Sequence, residues 1–179
     1  MENKIQCQTY IDIGFDGENV SPKTCEAICN RVSPYGEIKA IKCYANFNSP
    51  SVKPWIQACK DYGITPVQCD RLIKTKNTTD LTIVENLAIS MCQEAPGIMV
   101  LMSGDCDFHS IVNHLRKKGW YVIGVGKEQS NNIYKKAFNE FWTLEELTKE
   151  LQKKTVVIKC GVRKRPKIVI RRTGGKRCL

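Results

Sequence analysis

The sequence predicts an α/β protein: a three-layer α/β/α sandwich with a mostly parallel central sheet, followed by a basic carboxyl-terminal extension. Three observations lead to this prediction. Short apolar runs alternate along the chain with segments of helical spacing, and this order implies right-handed βαβ crossovers. The hydrophobic fraction of 42% in 179 residues is enough for the core of one domain. All of the excess positive charge falls in the last 27 residues.

The first half of the chain contains three predicted strands, at 8–15, 37–44 and 64–69. Between the first two, Ser21 and Pro22 predict a helix start, because serine caps helices and proline fits their first turn. That helix runs to about Val32. A second, shorter helix at 53–62 ends at Gly63, the residue type that most often follows a helix.

The second half continues the alternation. Thr78 to Asp80 begin a helix whose apolar residues recur at spacings of three and four up to Met91. A last helix starts at Thr143, which forms a capping box with Glu146. Phe141 and Trp142, just before it, are interpreted as an apolar contact. The other predicted elements are strands at 98–102 and 120–125 and helices at 108–119 and 130–139.

The charge distribution divides the chain in two. Residues 153–179 carry eleven Lys or Arg and no acid, whereas residues 1–152 have a net charge of −1. We therefore expect a globular domain over 1–152 and a basic tail over 153–179, either flexible or folded into a small hairpin. A cationic arm favours a polyanion, because binding releases counterions from a phosphate backbone. The candidate phosphate contacts in the tail are Arg163, Lys164 and Arg165.

Composition also bounds the location of the protein. No run of about 18 apolar residues is present, so we expect no transmembrane helix and no membrane partner. The first residues lack the apolar core of a signal peptide. The ten cysteines form no Cys-x-x-Cys pair, which favours reduced thiols acting as small hydrophobic side chains. We expect a soluble protein of the cytoplasm, or of the nucleus in a eukaryotic cell because of the basic tail.

Four aspartates stand where predicted strands end or helices begin. Asp16 ends the first strand, Asp80 opens the third helix, and Asp105 and Asp107 follow the fourth strand. Because the carboxyl ends of parallel strands share one edge of a sheet, we expect these carboxylates to meet in one cleft. They would repel one another without a cation. Mg²⁺ or Mn²⁺ prefers oxygen ligands, and the chain has no histidine cluster that would favour zinc.

Structural roles compete with this interpretation. Aspartate is common at helix starts, so Asp80 taken alone is better explained as a cap. Asp105 and Asp107 are harder to explain in that way, because one acid is enough for a cap. Lys74 and Lys76 lie in a polar loop before Asp80. They form either a solvated surface or a phosphate contact at the cleft.

Four motifs in this order resemble the NYN domain of the PIN-like nuclease superfamily. They are Asp16-Gly-Glu-Asn19, Lys76 with Asp80, Ser103-Gly-Asp-Cys-Asp-Phe108 and Gly119-Trp-Tyr-Val-Ile-Gly124. The resemblance covers about residues 8–147, and the segment from Ser130 to Leu144 is similar to the last helix and closing strand of the family. The Ser-Gly-Asp-x-Asp-Phe string is specific for it.

The resemblance implies a metal-dependent ribonuclease, and we expect an endoribonuclease that acts on single-stranded or structured RNA. It implies that Asp16, Asp80, Asp105 and Asp107 are catalytic and hold Mg²⁺ or Mn²⁺. It also implies that Asn19 orients the first acid or a water on the metal, and that Ser103 lies beside the metal. Substrate contacts fall to Lys74, Lys76 and the tail.

Two other functions stay open from the sequence. The first is a PIN-like module that binds RNA or a protein without cutting; it would fit better if one of the four acids were missing. The second is a phosphatase of the haloacid dehalogenase type. That enzyme needs Asp-x-Asp at the end of the first strand, where this chain has Asp16-Gly17-Glu18. The oligomeric state also stays open, with a homodimer as one option.

Overall fold

The computed structural model describes residues 9–70 and 78–150 of the chain. Strands and helices alternate throughout these two ranges. The strands are β1 (Tyr10–Asp16), β2 (Glu37–Ala45), β3 (Thr65–Gln68), β4 (Ile98–Met102), β5 (Tyr121–Gly126) and β6 (Glu140–Thr143). The helices are α1 (Cys25–Val32), α2 (Lys53–Tyr62), α3 (Thr78–Gln93), α4 (His109–Lys117), α5 (Asn132–Ala137) and α6, which spans 144–150.

The six strands form one parallel sheet in the order β3-β2-β1-β4-β5-β6. The predicted α/β class and parallel sheet are therefore confirmed. β1 and β4 are neighbours at the centre, with Phe15 opposite Met102. From β1 the chain moves outward to β2, and from β4 it moves outward in the opposite direction to β5. The strand order thus reverses between β1 and β4.

Helices cover both faces of the sheet, because the central strands are apolar on both sides. Ile13 and Phe15 of β1 pack with α1 and α2, and the ring of Phe15 lies 5.1 Å from that of Trp55. On the other face, Met99 and Leu101 of β4 pack with α3, α4 and α5. The three-layer sandwich predicted from the sequence is the architecture observed.

Helix boundaries follow the residues that predicted them. Ser21 caps a short 3₁₀ turn at Pro22–Thr24, and the α-helix itself begins at Cys25, slightly later than predicted. Gly63 ends α2 in the left-handed conformation with φ of 65°. Thr143 and Glu146 form the predicted capping box, with N···O distances of 3.1 and 3.2 Å.

The segment around Phe141 and Trp142 differs from its interpretation as an apolar contact. These residues belong to β6, and Phe141 lies opposite Gly124 of β5. β6 is only four residues long and pairs on one side, so its sequence is too short to show strand alternation. The closing strand implied by the family resemblance is the correct interpretation here.

Seven cysteines in the described residues are free thiols. Cys92 and Cys106 are exposed, and the other five are buried (Cys25, Cys29, Cys43, Cys59 and Cys69). Burial raises the pKa of Cys25 to about 12 and that of Cys29 to about 11. These side chains stay protonated and pack as small apolar groups.

The sequence predicts no transmembrane helix. None of the helices in the described residues combines the length and the apolarity that a bilayer crossing requires. Residues 153–179 and the loop that contains Lys74 and Lys76 lie outside the described residues. The division into a domain over 1–152 and a basic tail therefore stays a prediction.

Candidate active site

The centre of the sheet has a crevice at its carboxyl edge. The chain leaves β1 and β4 in opposite directions, so the loops that follow these strands diverge, the arrangement that forms a crevice in open α/β sheets. Asp16 is the last residue of β1, and Ser103 directly follows β4. In open α/β sheets this position is where ligands bind.

Asp16 lies at the floor of this crevice and has no exposed surface. Its carboxylate accepts hydrogen bonds from Asn19 Nδ2 at 2.7 Å, from Ser103 Oγ at 2.9 Å and from the Glu18 amide at 3.3 Å. Burial raises the pKa of Asp16, while these three donors act to lower it. Asn19 and Ser103 are therefore direct partners of the first acid, in the positions from which they can orient it.

The turn after β1 explains the Asp-Gly-Glu-Asn sequence. The amides of Asn19 and Val20 donate to the Asp16 carbonyl, which folds the chain back over the strand end. A Cβ at Gly17 would lie 2.7 Å from Cys43 Sγ, so only glycine fits this turn without displacing β2. The tight turn brings the Asn19 amide to the carboxylate of Asp16.

Ser103 links the two strand ends. It is fully buried, and its hydroxyl donates to Asp16 while accepting a hydrogen bond from the Asp105 amide at 3.2 Å. Asp105 in turn caps a 3₁₀ turn at Cys106–Phe108, since its Oδ1 accepts from the Asp107 amide at 3.1 Å. Asp105 therefore has a capping role, although the sequence makes a cap the harder explanation for a pair of acids separated by one residue.

Asp80 faces the same crevice from the first turn of α3. Its pKa is raised to about 6, first by burial and then by the negative charges of Asp16, Asp105, Asp107 and Glu18. These effects show that acids from three distant segments act on one another. Glu18 is an additional acid that the sequence reasoning missed, although it stands within the Asp-Gly-Glu-Asn motif.

The acids differ in how closely they approach. Potential ligand atoms of Asp105, Cys106 and Asp107 lie within 4.8 Å of one another, and this is the one such group in the described residues. Asp16 and Asp80 are outside it. Asp107 and Cys106 are exposed, and Asp105 is partly buried. Cys106 was not predicted; its only signal is its place between the two acids.

The five predicted substrate contacts lie outside the part of the chain that the structure describes. They are Lys74, Lys76, Arg163, Lys164 and Arg165. Their proposed contact with phosphate rests on the sequence alone.

The side chains of the crevice fit a divalent cation. Carboxylate oxygens are the ligands preferred by Mg²⁺ and Mn²⁺, and a positive ion would offset both the burial of Asp16 and the mutual repulsion that raises the pKa of Asp80.

A family model for the NYN domain matches residues 11–145, a range that contains Asp16, Asp80, Asp105 and Asp107. The chain belongs to the NYN domain family. NYN domains are PIN-like proteins that are typically nucleases and generally use divalent metals. This range contains all six strands, apart from Tyr10, the first residue of β1, so the NYN domain includes the whole sheet described above.

The NYN fold is shared with a solved structure. A protein of unknown function from Vibrio parahaemolyticus superimposes with a TM-score of 0.64 at 16% identity, over 82% of this chain and 98% of that one. Identity at this level supports the fold alone. No curated protein matches the chain in sequence.

Proposed function

We propose that this NYN domain is a metal-dependent ribonuclease that cuts RNA internally. The observation that supports the proposal is that Asp16, Asp105 and Asp107, which follow β1 and β4, all raise the pKa of Asp80 at the start of α3. Electrostatic coupling among acids from separate segments is costly for a structure and typical of functional sites. A fold family of nucleases supports hydrolysis of a phosphodiester as the reaction.

Each acid has a distinct place in this proposal. Asp80, Asp105 and Asp107 line the open part of the crevice and would hold Mg²⁺ or Mn²⁺, with Asp16 beneath them. A bound divalent ion supplies an activated water and neutralises charge on the phosphate that is cut. The carboxylates must be ionised to hold it, and Asp80, with a pKa of about 6, sets the lower limit of the pH range.

Asn19 and Ser103 act on the acids rather than on the substrate. Both donate to Oδ2 of Asp16, which fixes the rotation of that carboxylate. Ser103 also accepts a hydrogen bond from the Asp105 amide, so the same hydroxyl helps to fix the acidic loop, residues 103–107, at the end of β4. Fixed ligand orientation is what a metal site needs to favour one geometry.

Binding of RNA would depend on residues outside the sheet. Residues 1–152 are close to neutral, so the long-range attraction for a phosphate backbone comes from the eleven cations of 153–179. We assign phosphate contact to Lys74, Lys76, Arg163, Lys164 and Arg165. A location in the cytoplasm or nucleus and a homodimeric state remain predictions.

Cleavage of a labelled single-stranded RNA in Mn²⁺ tests the proposal. We expect the wild type to cut and Asp105→Asn to lose activity, because asparagine keeps the cap but supplies no charge. Asp61→Asn, which changes an acid on α2, serves as the matched control and should cut like the wild type. Addition of a chelator should abolish cutting. Equal cutting by wild type and Asp105→Asn, or none by either, would reject the enzyme.

The second candidate is a module that binds RNA or a protein without cutting it. Two observations favour it: Asp16 is fully enclosed, and Oδ1 of Asp105 is occupied by capping. Both acids therefore have structural roles even without a cation. RNA that is retained by the wild type in a gel-shift assay but stays intact in Mn²⁺ would support the module.

A further inference from the structure

A buried tyrosine hydroxyl has no hydrogen-bond partner among the residues that the structure describes. Tyr134 lies on α5, its side chain is 1% exposed, and its hydroxyl is among three buried polar atoms left without a partner in the described residues. An unsatisfied buried hydroxyl is destabilising, because it loses its hydrogen bonds to water when the protein folds. Such a group calls for an explanation, because nearly all buried polar atoms in folded proteins are paired.

The surroundings of this hydroxyl are acidic. Burial raises the pKa of Tyr134, and the next contributions come from Asp105, Cys106 and Asp16. The geometry agrees with this. A Cβ at Gly126 would lie 3.0 Å from the Phe141 ring and 3.3 Å from the Ser103 carbonyl, so the ring that packs on Tyr134 adjoins the end of β4.

The ring of Tyr134 is held firmly in this position. It packs edge-on against Phe138 with ring centres 4.9 Å apart, and against Phe141 at 6.3 Å. Phe138 itself lies over Gly124, where a Cβ would come within 2.7 Å of the ring. Because of this packing, the hydroxyl cannot turn away to solvent to find a partner.

The acidic loop offers a matching acceptor. Oδ1 of Asp105 accepts from the Asp107 amide, whereas Oδ2 accepts no hydrogen bond from any described residue. A carboxylate that binds a cation through one oxygen is commonly fixed by a hydrogen bond to the other. The tyrosine has a donor without an acceptor, and the aspartate has an acceptor without a donor.

We propose that Tyr134 is a positioning residue of the site, whose hydroxyl donates a hydrogen bond to the Asp105 carboxylate when that group binds a divalent cation. The inference rests on the proposed function, because it requires a cation at the acidic loop. The unsatisfied hydroxyl would then be a cost of the metal-free protein that cation binding removes. Tyr134 touches neither the cation nor the RNA in this role.

Calorimetric titration of the full chain with Mn²⁺ tests the proposal without measuring cleavage. We expect Tyr134→Phe to bind Mn²⁺ at least about tenfold more weakly than the wild type, the effect typical of losing such a supporting hydrogen bond. The melting temperature of the metal-free variant should equal or exceed that of the wild type, because the phenylalanine has no hydroxyl to leave unsatisfied. Tyr62→Phe, which alters a tyrosine packed against the opposite core, should bind like the wild type.

Each other result overturns the proposal in a distinguishable way. Wild-type affinity in Tyr134→Phe would remove the role of Tyr134 and leave the nuclease standing. A clear fall in the melting temperature of metal-free Tyr134→Phe would mean that the hydroxyl already has a structural partner. Absence of saturable binding to the wild type, or unchanged binding by Asp105→Asn, would reject the metal site and the tyrosine together.

Discussion

Asp16 accepts hydrogen bonds only from neutral groups among the residues that the structure describes: an amide side chain, a hydroxyl and a backbone amide. None of these supplies a full positive charge, so burial still raises the pKa of Asp16. The hydrogen bonds therefore fix the orientation of the Asp16 carboxylate but do not balance its negative charge. Substitutions of the residues around Asp16 should change the free energy of unfolding accordingly.

Ser103→Ala tests the orientation. The change removes a donor to Asp16 and an acceptor for the Asp105 amide, both in a buried place. We expect a loss of about 1–3 kcal/mol in the free energy of unfolding, measured by urea denaturation. Ser51→Ala, at an exposed serine, should change it by less than about 0.5 kcal/mol. Equal values for both variants would mean that the hydroxyl of Ser103 contributes little.

Asp80→Asn tests the incomplete compensation through its pH dependence. The pKa of Asp80 is about 6 in the folded protein, above its ordinary value of 3.8, so the folded state holds the proton more tightly. Stability from this group is present at low pH and is lost as the pH rises through 6. Relative to the wild type, the metal-free variant should therefore gain stability between pH 4 and 7.5.

Thermal melts across that pH range measure the difference. Glu85→Gln, at an exposed acid of the same helix, provides the control and should show a flatter difference. If the wild type instead gained stability relative to Asp80→Asn as the pH rises, burial and repulsion among the acids would not be raising the pKa of Asp80. Added Mn²⁺ should reverse the sign at pH 7.5, because a cation favours the ionised carboxylate.

Secondary-structure elements show which features the sequence carries locally. β4 is buried on both faces and is a continuous apolar run, and the capping box at Thr143 has two side chains three residues apart. Such signals are contained within a few residues, and these predictions were correct. β6 was missed by residue patterns because its formation depends on β5, which supplies its only partner.

The same contrast applies to the site. Asp16, Asp80, Asp105 and Asp107 were predicted because strand ends share an edge of a parallel sheet, which is a property of the fold class. Tyr134 was not predicted, since nothing in its local sequence separates it from an ordinary core tyrosine. The influence of the Asp105 charge on Tyr134 depends on the packing of α5, which sequence spacing does not specify.

Gly124→Ala tests how tightly β5 and α5 are packed together. The added Cβ would lie 2.7–2.8 Å from three ring atoms of Phe138. Phe138 must shift, and overpacking of this kind costs about 1–3 kcal/mol. Gly104→Ala is the matched control, because a Cβ there meets no atom within 4 Å. Urea denaturation of both variants measures the effect, and equal stabilities would show that α5 adjusts freely.

On the scale of the whole molecule, charge and acidic site are separated along the chain. The range matched by the NYN family contains the acids, while the positive charge lies beyond it in 153–179. Composition revealed this separation directly. The path of the tail relative to the crevice depends on long-range contacts that no local pattern encodes, so the sequence supports its charge and not its placement.

Neutralising Arg163, Lys164 and Arg165 together with alanine tests the assignment of RNA binding to the tail. If all three contact phosphates, the slope of log K against log salt should fall by about 2, since each contact with a single strand contributes roughly 0.7. Fluorescence anisotropy with Ca²⁺ in place of Mn²⁺ measures binding at several salt concentrations. The triple variant Lys23→Ala, Lys53→Ala and Lys60→Ala alters three exposed lysines beside α1 and α2. An equal fall in that control would show that only total charge matters.

The buried thiols around α1 and α2 allow the opening of the domain to be measured by chemical labelling. Burial keeps an alkylating reagent away from Cys25, Cys29, Cys43 and Cys59 until the sandwich opens. Burial also raises the pKa of these thiols, and the thiolate is the reactive form of cysteine, so they do not react while the domain is closed. Cys92 and Cys106 are exposed and label at once. Mass spectrometry after timed alkylation would therefore give two results without an introduced probe. Labelling of the buried cysteines would measure the opening rate of the core, and labelling of Cys106 would report cation occupancy beside Asp105.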